Sequence, residues 1–205
     1  MEHETGESAQ GEVYLERLLD VMRRAGPDQS LASARTSMAI TAIARITGVP
    51  GRLEIAEAEA SLSAESVTPQ VAQYAKAGLA LLAVQKGDRT AAEMHYAYLL
   101  GQRGTMMSSI SSVDRLVGLL SHTMGELDGA VAHFEDALAF SRKAGYRPEV
   151  AWTCCDYADT LLQRNEPGNC QKAMSLWDES LAISSKLGMR PLMERVLSRR
   201  EILKA

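Results

Sequence analysis

Apolar side chains return every three or four positions along most of this chain, the spacing that lines one face of an α-helix. The pattern opens with Val13, Leu15, Leu18, Leu19 and Met22 and stops at Gly26-Pro27. A second segment, with Ser30 placed to cap it, carries Met38, Ile40, Ile43 and Ile46 as far as Gly48-Val49-Pro50-Gly51. Its partner runs from Leu53 to about Leu62. Thr68-Pro69 restarts the pattern, because threonine caps and proline is tolerated at the first helical position. That helix reaches about Gln85 and ends at Gly87. Thr90 with Glu93 has the form of a capping box for a helix to about Gln102. Residues 101–107 read as a connector, and Ser111 with Asp114 opens the next helix, which ends near Gly125.

Two further pairs complete the pattern. Leu127 to Ala144 closes at Gly145, and Pro148 opens a helix through Trp152, Tyr157 and Leu161 that ends at Asn165-Glu166-Pro167-Gly168. The next helix reaches Leu187, Gly188 stops it, and Pro191 starts a last one to about Leu203. The pattern thus predicts about ten helices in about five antiparallel pairs with short connections, an all-α fold. Residues 1–10 are polar, lack apolar anchors and read as a disordered leader. The rest, 11–205, reads as one repeat domain, with divergent helices at 11–68 and clearer repeats at 69–205.

The repeat is written into the letters. At an offset of 43 residues Ala130 falls on Ala173, Phe134 on Trp177, Leu138 on Leu181, Ser141 on Ser184, Gly145 on Gly188, Arg147 on Arg190 and Pro148 on Pro191. A self-similar period of this size, built from helical patterns, marks stacked helix pairs that bury their apolar faces against one another.

Gly118, Gly125, Ala130, Phe134 and Ala137 carry a spacing that resembles tetratricopeptide repeats, as do Ala80, Gly87, Ala92 and Tyr96. Tyr157, Ala158, Leu161, Ala173 and Trp177 fit with an insertion around Pro167-Gly168-Asn169 and with Asn165 in place of the turn glycine. The phrases VDRLVGLL, HFEDALAFSRKAGYRPE and LAISSKLGMRPLMERV resemble the C-terminal repeat region of bacterial cyclase–ATPase and LuxR-type regulators. The resemblance implies a right-handed α-solenoid whose first helices line a concave groove. In that register the groove row is Tyr74; Ser112, Arg115, Leu119 and His122; Trp152, Cys155, Asp159 and Leu162; and Arg195 and Ser198. It also implies a non-catalytic interaction scaffold or regulatory module of a bacterial signalling system, with a protein or peptide in the groove. The alternative is a ligand-sensing C-terminal fragment of a cyclase–ATPase or LuxR-type regulator. The terminal helix or a second copy of the chain, as a homodimer, is the competing occupant of the groove.

Composition narrows the partners. A formal charge of −4 supplies no overall attraction for nucleic acid, and the local run Arg195, Arg199, Arg200, Lys204 also suits the C-terminal end of a helix dipole. No apolar run reaches the roughly 18 residues of a membrane span, and MEHETGESAQ has no basic or apolar signal region, so the expected location is cytoplasmic. Cys154, Cys155 and Cys170 are too few and too ill-spaced for a disulfide framework. His3, His95, His122 and His133 lack metal-ligand companions at ligand spacing, and no phosphate loop or GxGxxG is present. The expectation is therefore no enzyme, no cofactor and no metal.

Overall fold

The computed structural model describes residues 2–25, 30–48, 52–64, 68–107 and 111–204. Among them the chain is all-α apart from one short strand pair. The helices are α1 (Glu2–Thr5), α2 (Ser8–Ala25), α3 (Ser30–Thr47), α4 (Leu53–Ala64), α5 (Pro69–Lys86), α6 (Arg89–Leu99), α7 (Val113–Met124), α8 (Leu127–Lys143), α9 (Arg147–Arg164), α10 (Asn169–Leu187) and α11 (Arg190–Lys204). The expected stops at Gly26-Pro27 and Val49-Pro50-Gly51 lie outside the described residues. No described helix is long and apolar enough to cross a membrane.

Several boundaries differ from the sequence reading. Glu2–Thr5 forms a helical turn with His3 buried, where a disordered leader was expected, and α2 begins at Ser8 rather than Val13. Asp88, not Thr90, caps α6, its carboxylate accepting the Ala91 N–H at 3.0 Å. Ser112, not Ser111, caps α7 and accepts the Arg115 N–H at 3.1 Å. Both serines lie in β2 (Ser111–Ser112), which pairs antiparallel with β1 (Met106–Met107), and the Ser111 hydroxyl bonds the Ser112 carbonyl and Glu149 instead of a helix N–H.

The repeated letters form the same turn twice. At the end of α8 the Tyr146 N–H bonds the Ser141 carbonyl at 3.0 Å, and at the end of α10 the Met189 N–H bonds that of Ser184 at 2.9 Å. Each turn needs one left-handed residue, Gly145 or Gly188. After α9, in the place that Gly87 and Gly125 hold after α5 and α7, Asn165 takes the left-handed conformation with φ 53°. Gly118 has a different reason to be glycine. A Cβ there would stand 2.9 Å from the ring of Phe134, so its absence lets α7 and α8 close on that ring.

Each helix from α3 to α11 packs against the next, and α3, α5, α7 and α9 also touch in sequence across the intervening helix. Two large cores result. One joins Ala34 and Met38 of α3 to α5, α6 and α7. The other centres on Phe134, Tyr157 and Trp177, all fully buried, with the Phe134 and Tyr157 rings stacked 5.8 Å apart. A third, much smaller cluster holds Leu15 and Leu19 of α2 against Ile40 and Ala56. The chain then turns back on itself: α1 touches α3 and α11, and α3 reaches α11.

Candidate functional site

The odd-numbered helices α7, α9 and α11 present a charged row, and α9 supplies its spine. Glu149, Trp152 and Asp156 recur at three- and four-residue steps and so share one face of that helix. Both carboxylates are buried, which requires paired charges. Glu149 accepts the Ser112 backbone N–H at 2.6 Å and its hydroxyl at 2.9 Å, tying the α9 start to the α7 cap. Arg115, one turn into α7, bridges the two acids, donating to Glu149 at 3.1 Å and to Asp156 at 2.8 Å. Asp156 takes a second guanidinium, Arg45 from the last turn of α3, at 2.5 Å.

Electrostatics follow from this wiring. Burial alone would raise the Asp156 pKa, but Arg45 and Arg115 outweigh it and hold the carboxyl below its usual range. Burial likewise favours the neutral form of Arg115, and Asp156 and Glu149 reverse that, so the guanidinium is held charged. Arg195 has the opposite balance: burial, then the Arg45 charge, lower its pKa. Among the described residues it has no carboxylate within ion-pair distance, and it donates instead to the Arg45 carbonyl.

Trp152 stands between these cations. The Arg115 guanidinium lies 5.5 Å from its ring centre and that of Arg195 5.0 Å. Its indole N–H donates to the Glu4 carboxylate of α1, at 3.1 and 3.3 Å to the two oxygens. Next along α9, Asp159 lies 3.4 Å from Arg199. Burial, reinforced by Asp156 and opposed by Arg199, raises its pKa to about 6. His122 meets Thr160 at 2.8 Å, and because the Thr160 hydroxyl already donates to the Asp156 carbonyl, the imidazole Nδ1 must be the donor. Burial lowers the His122 pKa, keeping the ring neutral at pH 7.

Of the expected groove residues, the structure brings Arg115, Trp152, Asp159 and Arg195 into this one cluster, with His122 a turn beyond. Ser112 is a buried helix cap, Leu119 and Cys155 are core, Leu162 packs at the core edge and Ser198 is exposed. Tyr74 lies apart on α5, with the Arg35 guanidinium of α3 over its ring at 5.2 Å. The chain's own α1 meets the row at Trp152, and the end of α3 meets it at Arg195 and beside it at Asp156. Burial pushes the Cys154 and Cys155 thiols well up, away from the reactive thiolate. Among the described residues no group of three or more His, Cys, Asp or Glu could hold a metal ion. The groups the row does hold, guanidinium donors and an indole N–H, are ones that hydrogen-bond carboxylates and carbonyls.

Glu149 and Asp156 were missed in the sequence, although a signal existed. Two acids seven residues apart on a helix otherwise bearing Val150, Ala151, Cys154 and Cys155 must either face water or find buried cations. Glu4 and Arg45 left no such signal, since only the return of the chain brings them to α9.

No family model, curated protein or solved structure matches the chain.

Proposed function

We propose that this protein is a non-catalytic interaction module, a right-handed α-solenoid whose first helices α5, α7, α9 and α11 line a groove for a peptide of a protein partner. The observation that carries the reading is Trp152, an aromatic anchor between two guanidiniums, held on a rigid base of buried ion pairs. Binding surfaces draw most of their energy from tryptophan, tyrosine and arginine. Preorganisation matters as much, because side chains already fixed in place lose less entropy on binding. Arg115 is fixed by Glu149 and Asp156 before any ligand arrives.

The test is affinity capture of partners from native extract, comparing wild type with Arg195→Ala and with Met94→Ala, whose side chain is exposed on α6. All three must match in melting temperature and oligomeric state. The Arg195 variant should lose its specific partners about tenfold or more, the loss of a good interface contact, and Met94→Ala should keep them. An unchanged partner list for Arg195→Ala would overturn the groove.

A further inference from the structure

The groove is not empty in the chain itself, and what fills it identifies the chemistry of its ligand. Residues 4–7, Glu-Thr-Gly-Glu, make three directed contacts across two helices. Glu4 accepts the Trp152 indole N–H on α9. The Thr5 backbone carbonyl accepts Arg190 Nε on α11 at 2.8 Å. Glu7 accepts a second Arg190 nitrogen at 2.6 Å. A backbone carbonyl flanked by two carboxylates is how an acidic peptide would be read by such a groove.

Charge complementarity points the same way. Within the cluster four guanidiniums, Arg45, Arg115, Arg195 and Arg199, face three carboxylates, Glu149, Asp156 and Asp159. One positive charge is left over, and Glu4 enters the cluster at Trp152, the ring between Arg115 and Arg195.

The segment is also lightly anchored. His3 is its one buried side chain, and both ring nitrogens lack a hydrogen-bond partner, the nearest carboxylate oxygen of Glu12 lying 3.9 Å away. The contacts to Arg190 are exposed. Gly6, in a left-handed conformation at φ 82°, joins the segment to α2. That helix is held by the small cluster of Leu15, Leu19, Ile40 and Ala56. Beside the segment a cleft of about 440 Å³, lined by His3, Glu12, Thr47, Arg190 and Glu194, leaves room for a longer chain to enter.

We propose that residues 2–7 are an internal stand-in for the true ligand, and that this ligand is an acidic peptide of a protein partner with two carboxylates three residues apart, which displaces the segment to bind. The proposal rests on the interaction-module reading and names its partner class. The segment and its competitor then share one subsite, so the partner's apparent affinity is reduced by the fraction of molecules in which the segment is docked.

The experiment uses the full chain and a fluorescein-labelled peptide of its own residues 1–8, MEHETGES. The doubly substituted variant Glu4→Gln, Glu7→Gln weakens the internal segment without touching the groove. It should bind the peptide at least about tenfold more tightly than wild type does, since the self-ligand no longer competes. A peptide carrying glutamine at both acidic positions should not bind. Arg190→Ala, added to the unlatched variant, should abolish binding, and because Arg190 is exposed this variant keeps its fold. In a ¹H–¹⁵N spectrum the Trp152 indole resonance should shift in the unlatched variant and return when peptide is added.

Equal affinity for wild type and the unlatched variant would overturn the proposal. So would binding indifferent to Arg190, or displacement of the peptide by a single-stranded oligonucleotide of equal charge that binds more tightly. Partner capture that depends on Arg195 but is unchanged by Glu4→Gln, Glu7→Gln would remove the internal stand-in and leave the interaction module. Peptide binding as expected, with no Arg195-dependent partner, would remove the module and leave the subsite.

Discussion

The helices from α7 to α10 and those from α1 to α4 share one periodic pattern but are held by different forces. In the first group Phe134, Tyr157 and Trp177 are buried completely, small residues such as Gly118, Ala130 and Ala173 let the helices close, and the turns repeat bond for bond. In the second, α3 joins a large core through Ala34 and Met38, but α2 meets the rest through Leu15 and Leu19 against Ile40 and Ala56, and polar bonds tie the group in further. Ser37 donates to the Ala56 carbonyl at 2.6 Å, Arg52 bonds Glu12 and Glu16, Arg45 reaches Asp156, and Glu4 reaches Trp152. Apolar burial is non-directional and holds whenever shapes fit, whereas polar clamps hold only at one geometry and can be exchanged for another partner's. The first arrangement suits a rigid frame. The second suits a part that can be replaced.

The sharpest way to break this contrast is to cut the frame. Phe134→Ala and Trp177→Ala should each cost about 3–5 kcal/mol, because each leaves a large cavity among fully buried neighbours. Arg115→Ala belongs in the same range of about 3–5 kcal/mol, since it leaves the buried Glu149 without a cation and Asp156 with Arg45 alone. Urea unfolding measures all three, and losses near zero would show that these side chains do not bind the repeats together.

Leu19→Ala in the small cluster should cost less, about 2 kcal/mol, the low end for a leucine truncation. Native-state hydrogen exchange should show α2 opening separately while α8 to α10 remain protected. A loss as large as that of Phe134→Ala would mean that the two regions unfold as one unit.

Titration sharpens the contrast in the charged row of α7, α9 and α11. Asp159, raised to about 6, binds its proton more tightly in the folded state, so its contribution is full below about pH 4 and is lost as pH rises to about 6. Asp159→Asn should therefore gain stability over wild type across that window, by on the order of 1–2 kcal/mol. His122 runs the other way. Its pKa is lowered by burial, so stability is lost as pH falls through its unfolded value near 6.5, and His122→Gln should remove that part of the acid sensitivity. Thermal melts between pH 4 and 8 would separate the two. At the small end, Lys86→Ala, which breaks an exposed pair with Glu57 on α4, should change stability by less than about 0.5 kcal/mol.

What was legible in the letters was local. The stops at Gly87, Gly125, Gly145 and Gly188 and the start at Pro69 stand where the pattern put them, and α9 begins one residue before Pro148, because a left-handed residue or a missing N–H acts within one turn. The caps at Asp88 and Ser112 were misplaced by two residues and one, since several polar side chains near a helix start compete for the same N–H groups. Arg115, Trp152, Asp159 and Arg195 stand in one row only through the resemblance to tetratricopeptide repeats, not through periodicity. That Glu4 of α1 would meet Trp152, and that the end of α3 would meet Arg195, could not be read there.

The sequence by itself determined helices, turns and the repeat, because periodicity, capping and proline or glycine chemistry reach no further than a few residues. Tertiary structure alone decided that Arg45 meets Asp156 and that Glu4 meets Trp152, pairs 111 and 148 positions apart. Charge and indole N–H are short-range partners that carry no sequence spacing. Which of many acids closes on which of many cations is set only when packed helices bring the ends of the chain together, and there burial removes the water that would have served either one equally well.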